Sequence, residues 1–204
     1  MNQTKMKKFH NLSFFLFILA LLLAGCKEKL PVKDDLSGIS YGLVTQDSSF
    51  FTFPRDLKGH VVVVGLIFTH CPDICPLITN NMERIQEEAK KEGLPGVSFV
   101  SISFDPLRDK PSVLKEYAEV REIDTKNWIF LTGRQGEIDS LKKQLHYVAI
   151  AGDTTYSSSG EPSYFFVHTD RITLMDKEGR VRQEYKGSSL NPADVIKDIK
   201  ALEN

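Results

Sequence analysis

The chain has 204 residues, with 26 basic against 27 acidic side chains and 41% hydrophobic residues. That is ordinary globular composition, which excludes disordered, collagen-like and coiled-coil classes. A length near 200 fits one domain, and the near-zero charge offers no basic face for nucleic acid. At the start, Lys5, Lys7 and Lys8 precede an unbroken apolar run, Phe14 to Ala24. A bilayer span needs about 20 apolar residues, so the run is too short for a membrane helix. A basic start, a short apolar core and small residues after it describe an export signal over residues 1–25.

Leu23-Ala24-Gly25-Cys26 closes that segment and resembles the bacterial lipoprotein signal. The resemblance implies cleavage before Cys26 and acylation of its thiol. Two or more acyl chains anchor stably where one is marginal. Residues 26–38, polar with a Pro and a Gly, read as a tether. The folded domain is then expected over residues 39–204. Of the three cysteines, Cys71 and Cys75 remain. One close pair in an exported chain is a dithiol to be oxidised or occupied rather than a disulfide framework.

In chain order, Phe50 to Phe53 is β-prone, and Val61 to Phe68 (VVVVGLIF) reads as a central strand covered on both faces. Thr69 to Pro76 is a loop. Leu77 to Lys91 carries Ile78, Met82, Ile85 and Ala89 at helical spacing and stops at Gly93. Val97 to Phe104 is a strand, and Pro111 opens a helix to about Val120. Trp128 to Leu131 is a short strand, Gly136 to Tyr147 a helix and Gly152 to Glu161 a polar loop. Tyr164 to His168 and Arg171 to Met175 are β-prone. Lys177-Glu178-Gly179 turns a hairpin into Val181 to Tyr185. Asn191 caps and Pro192 opens a last helix to about Leu202. Early strand–helix alternation with a late hairpin predicts an α/β fold, a central mixed sheet flanked by helices, of which thioredoxin-like topology is one instance.

The chemistry concentrates in Thr69-His70-Cys71-Pro72-Asp73-Ile74-Cys75-Pro76. Each Cys precedes a proline and is pushed from the α region, so the loop is expected to wrap with Pro76 at the first helical position. Both sulfurs then lie at the carboxyl end of a buried strand and beside a helix amino terminus, where thiol pKa falls. Thiolate attacks disulfides and also binds soft metals, Cu(I) above all, with Zn(II) allowed. Five histidines are present. His10 goes with the signal, His60 lies at the wrong strand end, His70 should point away from Cys71, and His146 sits at a helix carboxyl end. His168 ends a β-prone run at a loop, but position alone leaves a structural histidine as the alternative. A thiol peroxidase would need an arginine in or beside the loop, which the sequence lacks there.

FTHCPDICP, SISFDPLRDKPSVLKEYAE and YFFVHTDRITLMDKEGRV, in that order, resemble the Sco/SenC family of copper chaperones over roughly Ile39 to Leu202. The resemblance implies a thioredoxin-like fold, a membrane anchor, one copper per chain and delivery to the copper A centre of cytochrome c oxidase. It maps two thiolate ligands to Cys71 and Cys75 and the imidazole ligand to His168. Asp73 and Asp105 fall in family motifs, Asp73 as a turn residue and Asp105 as a loop-shaping or ligand-supporting one. Val167 and Ile67-Phe68 depart from the family's Asp before the histidine and its Gly-Tyr before Thr; neither removes a ligand. The rival function is a thiol–disulfide oxidoreductase using Cys71 and Cys75 as a redox-active pair, with no need of His168.

Overall fold

The computed structural model describes residues 30–152, 155–156 and 162–203. The expected signal segment and Cys26 lie outside them. Strands β1 (Asp34–Asp35), β2 (Tyr41–Thr45), β3 (Phe50–Phe53), β4 (Val61–Ile67), β5 (Val97–Ser103), β6 (Trp128–Gly133), β11 (Ile172–Met175) and β12 (Arg180–Tyr185) form one sheet. Its order is β1-β12-β11-β4-β5-β6-β2-β3. β4, β5 and β6 run parallel, whereas β11 and β2 pair antiparallel to β4 and β6. This is the mixed sheet expected from the sequence. All seven residues of β4 and all seven of β5 are buried, as a strand covered on both faces demands.

Four helices flank the sheet: α1 (Ile74–Lys91), α2 (Pro111–Val120), α3 (Gln135–Gln144) and α4 (Pro192–Glu203). α1 packs on α4 and on β4, burying Ile78, Met82, Ile85 and Ala89. The Thr79 and Tyr117 hydroxyls, 3.0 Å apart, tie α1 to α2. The last helix opens as expected, with Ala193 N–H donating to Asn191 Oδ1 at 3.3 Å.

Two expectations change. First, α1 starts at Ile74, with Pro76 inside its first turn. The first four N–H groups of a helix have no intrahelical acceptor, so a proline there loses nothing. Second, residues 34–35 form a strand of the sheet, with 33 and 36 bonded beside it, rather than part of a tether. Lys33 N–H donates to Val181 O at 2.8 Å, Asp34 pairs with Val181, and Leu36 is fully buried. The β-prone stretch from Tyr164 to His168 does form a strand, β10 (Phe166–His168), which among the described residues pairs with β7 (Ala149–Ala151) rather than with the main sheet, forming a separate arm. The polar stretch from Gly152 to Glu161 is partly outside the described residues; within it, β8 (Thr155–Tyr156) pairs with β9 (Pro162–Ser163).

Candidate metal centre

β4 delivers the chain to the carboxyl edge of the sheet, where Phe68 is buried and Thr69 half-buried. Cys71 N–H donates to Phe68 O at 3.3 Å, closing a turn. Asp73 then stands at the amino end of α1, so Cys75 falls in the first helical turn. Cys75 is fully buried and Cys71 half-buried, and neither is in a disulfide. From the other side, β10 brings His168 over the pair. Its Nε2 lies 3.4 Å from Cys75 Sγ and 3.9 Å from Cys71 Sγ. The three donor atoms all fall within 4.8 Å of one another.

These separations suit a shared ion. With metal–sulfur bonds of about 2.3 Å and metal–nitrogen bonds of about 2.0 Å, planar three-coordination puts sulfur and nitrogen about 3.7 Å apart. The two observed S···N distances bracket that value.

The orientation of His168 is fixed from behind. Its Nδ1 lies 3.0 Å from Thr169 O and 2.9 Å from the Tyr147 hydroxyl. A carbonyl only accepts, so Nδ1 carries the proton. The Tyr147 O–H is free to donate onward to Leu66 O at 3.3 Å. In the neutral ring this leaves the Nε2 lone pair facing the sulfurs, the tautomer a metal-binding imidazole needs. Phe104 and Tyr147 wall the ring, with centroids 5.1 and 6.2 Å away. Burial raises the Tyr147 phenol out of its ordinary range, so it stays neutral.

The two thiols are polarised against each other. Cys71 is drawn down to about 4, chiefly because its thiolate accepts from the Cys75 thiol, and also from the backbone N–H groups of Cys75 and Asp73. Cys75 Sγ, acting as that donor and buried, is pushed up. A thiolate half open to solvent beside a buried thiol can attack a disulfide or take a soft cation.

The loop after β5 braces the site. Asp109, fully buried, accepts from Thr69 N–H at 3.1 Å, Thr69 Oγ1 at 2.6 Å and Ser103 Oγ at 2.6 Å. Burial raises its carboxyl pKa against these bonds.

Of the residues singled out by sequence, Cys71, Cys75 and His168 converge. His60 is at the far end of β4 against Ser98, and His70 is exposed with Nδ1 on Thr69 Oγ1. His146 is exposed, and its backbone, at φ 49°, ends α3 in the left-handed region. Asp73 serves by its backbone. Tyr147 and the grip of Asp109 were not anticipated. Asp109 stood in a motif, but nothing marked Tyr147: it turns inward because His146 adopts the left-handed conformation, which sequence pattern does not announce.

A family model described as SCO1/SenC matches residues 31–204. The crystal structure of a SCO1/SenC family lipoprotein from Bacillus anthracis str. Ames is similar with a TM-score of 0.71 and 32% identity, covering 88% of this chain and 100% of that one. BsSco, a member of the Sco family of cytochrome c oxidase assembly proteins with an identified disulfide switch, is 28% identical with a TM-score of 0.67 over 87% of this chain and 96% of its own. Arabidopsis thaliana ScoI with copper bound is 26% identical with a TM-score of 0.66, over 79% and 96% of the two chains. The mixed sheet with four helices is thus the thioredoxin-like arrangement of those structures.

Proposed function

This chain belongs to the SCO1/SenC family, and from that premise and the donor geometry we propose that it is a copper chaperone holding one ion on Cys71, Cys75 and His168. The observation that carries the reading is the third donor. His168 Nε2 stands 3.4 and 3.9 Å from the two sulfurs with its other nitrogen occupied by Tyr147 and Thr169. Two thiolates and one imidazole form a soft set suited to Cu(I), and the solved relative from Arabidopsis thaliana holds copper. A three-coordinate ion leaves a position open, so a client's thiolate or imidazole binds before a ligand of this site departs. The cargo passes by ligand exchange and is never free.

The client in this proposal is the copper A centre of cytochrome c oxidase, and the related BsSco supports that choice as a member of an oxidase-assembly family. Cys26 is the proposed lipid anchor, with the domain on the outer side of a bacterial membrane; the Bacillus anthracis relative is a lipoprotein. Palmitate labelling of wild type and Cys26→Ser tests that part.

Copper per chain after anaerobic Cu(I) loading, together with copper-edge X-ray absorption, tests the site. One equivalent with two sulfur and one nitrogen scatterers is expected. Cys71→Ser and Cys75→Ser should abolish tight binding, and His168→Ala should weaken it by at least about tenfold. Wild-type binding in both Cys75→Ser and His168→Ala would sink the assignment. The second reading, reduction of client cysteines, draws on the thiolate character of Cys71 beside the Cys75 thiol. It is favoured if disulfide reduction proceeds without copper and is untouched by His168→Ala.

A further inference from the structure

The ladder of β10 runs to β7 and not to the main sheet, so the pairing of the sheet does not set where His168 stands. Side-chain contacts from the arm to the body help to do so. Phe166 packs edge-on against Phe68 and Phe104, with centroids 5.1 and 5.2 Å away, and the Tyr147–His168 contact is already described. A further tie lies four residues upstream of His168, at Tyr164. Its hydroxyl donates to both carboxylate oxygens of Asp105, at 2.9 and 3.1 Å. Asp105 is buried, 3% exposed. The Arg108 guanidinium sits 3.6 Å over the centre of the same ring, and the ring meets Phe166 edge-on at 5.4 Å. Asp105 and Arg108 belong to the loop whose Asp109 grips Thr69, two residues before Cys71. One loop therefore holds the dithiol segment with one carboxylate and the histidine arm with another.

We propose that Tyr164 is a positioning residue for His168, clasped by Asp105 and Arg108, and that the 105–109 loop keeps the two sulfurs and the imidazole in one frame. A phenol on a carboxylate is a charge-assisted hydrogen bond, stronger than a neutral one, and a cation over the ring face adds to it. The phenol is pushed up to about 12 by burial and by Asp105, so it remains a donor throughout the neutral range. With the clasp broken, the body keeps the two thiolates while the arm that carries the third donor loses its outer fastening. The proposal deepens the copper-binding reading and rests on it.

The test compares full-length wild type, Tyr164→Phe and Asp105→Asn, the last retaining an acceptor oxygen for the phenol. Cu(II)-loaded protein is read by electron paramagnetic resonance for nitrogen coupling, and Cu(I) affinity by competition with a chromophoric chelator. Amide hydrogen exchange of residues 165–169 is measured without metal. Tyr164→Phe should keep one copper per chain but lose about tenfold in affinity, with weakened nitrogen coupling and faster exchange in the arm. Asp105→Asn, which keeps only a neutral hydrogen bond to the phenol, should fall between wild type and Tyr164→Phe in all three. Tyr164→Phe unchanged in exchange and nitrogen coupling, or Asp105→Asn losing as much as Tyr164→Phe, overturns the clasp. Absence of nitrogen coupling in wild type overturns the metal reading instead, and the metal-free exchange still decides the clasp.

Discussion

Cys71 and Cys75 stand four residues apart and differ in kind because one is half open and the other sealed. Cys71 collects donors, from the Cys75 thiol first and from two backbone N–H groups after it. Cys75 is walled off at the start of α1. The difference predicts a pH signature for the reduced, metal-free protein. An ordinary thiol gains about tenfold in alkylation rate per pH unit below its pKa, because only the thiolate reacts. For Cys71, whose pKa is lowered to about 4, the thiolate is already full at pH 5. Its iodoacetamide rate should therefore be flat from pH 5 to 8 and fall only as pH drops through about 4, while Cys75, raised and buried, stays unmodified. Peptide mapping after timed alkylation checks this, and a Cys71 rate that climbs steadily from pH 6 to 8 refutes it. The location of both sulfurs was legible, since two cysteines after a buried apolar strand leave few other places for them. Their inequality was not: it comes from the thiol–thiolate bond between them, from the burial of Cys75 and from the N–H groups that face Cys71, and the wrap of the loop decides all three.

At the level of elements, those that carry their own punctuation were legible. Helix α2 runs Pro111–Val120, as read, because proline at the first position fixes its start. β4 was legible as a buried β-branched run. β2 and β7 were not foreseen, because pieces as short as YGLVT and AIA gain their strand character from a partner rather than from pattern. The join between β4 and α1 shows what the sequence leaves silent. A Cβ on Gly65 would stand 2.6 Å from Met82 Sδ and 3.2 Å from Ile78 Cγ2. The missing side chain thus lets the helix that carries Cys75 lie close on the strand that leads to Cys71. Gly65→Val should cost about 1–3 kcal/mol through overpacking, seen as a lowered urea midpoint with an unchanged slope. Gly65→Ala should cost less, because Met82 is flexible enough to yield. A Gly65→Val variant as stable as wild type would show that α1 is not held this tightly.

Across the whole molecule, the site is assembled from three supports: the β4–α1 join for the sulfurs, the β7–β10 arm for the imidazole, and the 105–109 loop that is bonded to both. Family resemblance could name the ligands, but only the three-dimensional arrangement reveals that the imidazole rides on an arm outside the sheet. The reach of the domain toward its amino terminus was likewise hidden. Residues 26–38 read as a tether because KEKLPVKDDLSG is mostly polar with a Pro and a Gly, yet its Leu36 is fully buried and its backbone extends the sheet at β12. Replacing a buried leucine by alanine costs about 2–5 kcal/mol, and the cut strand would also leave the β12 edge unpaired. A soluble domain begun at Ile39 should therefore be less stable than one begun at Leu30 by about 3 kcal/mol. Leu36→Ala in the longer chain should reproduce most of that loss. Urea unfolding of the three proteins measures it. Equal midpoints for the two starting points would return residues 30–38 to the role of a passive tether, whereas a loss in the shorter chain that Leu36→Ala does not share would assign the stability to the strand pairing instead.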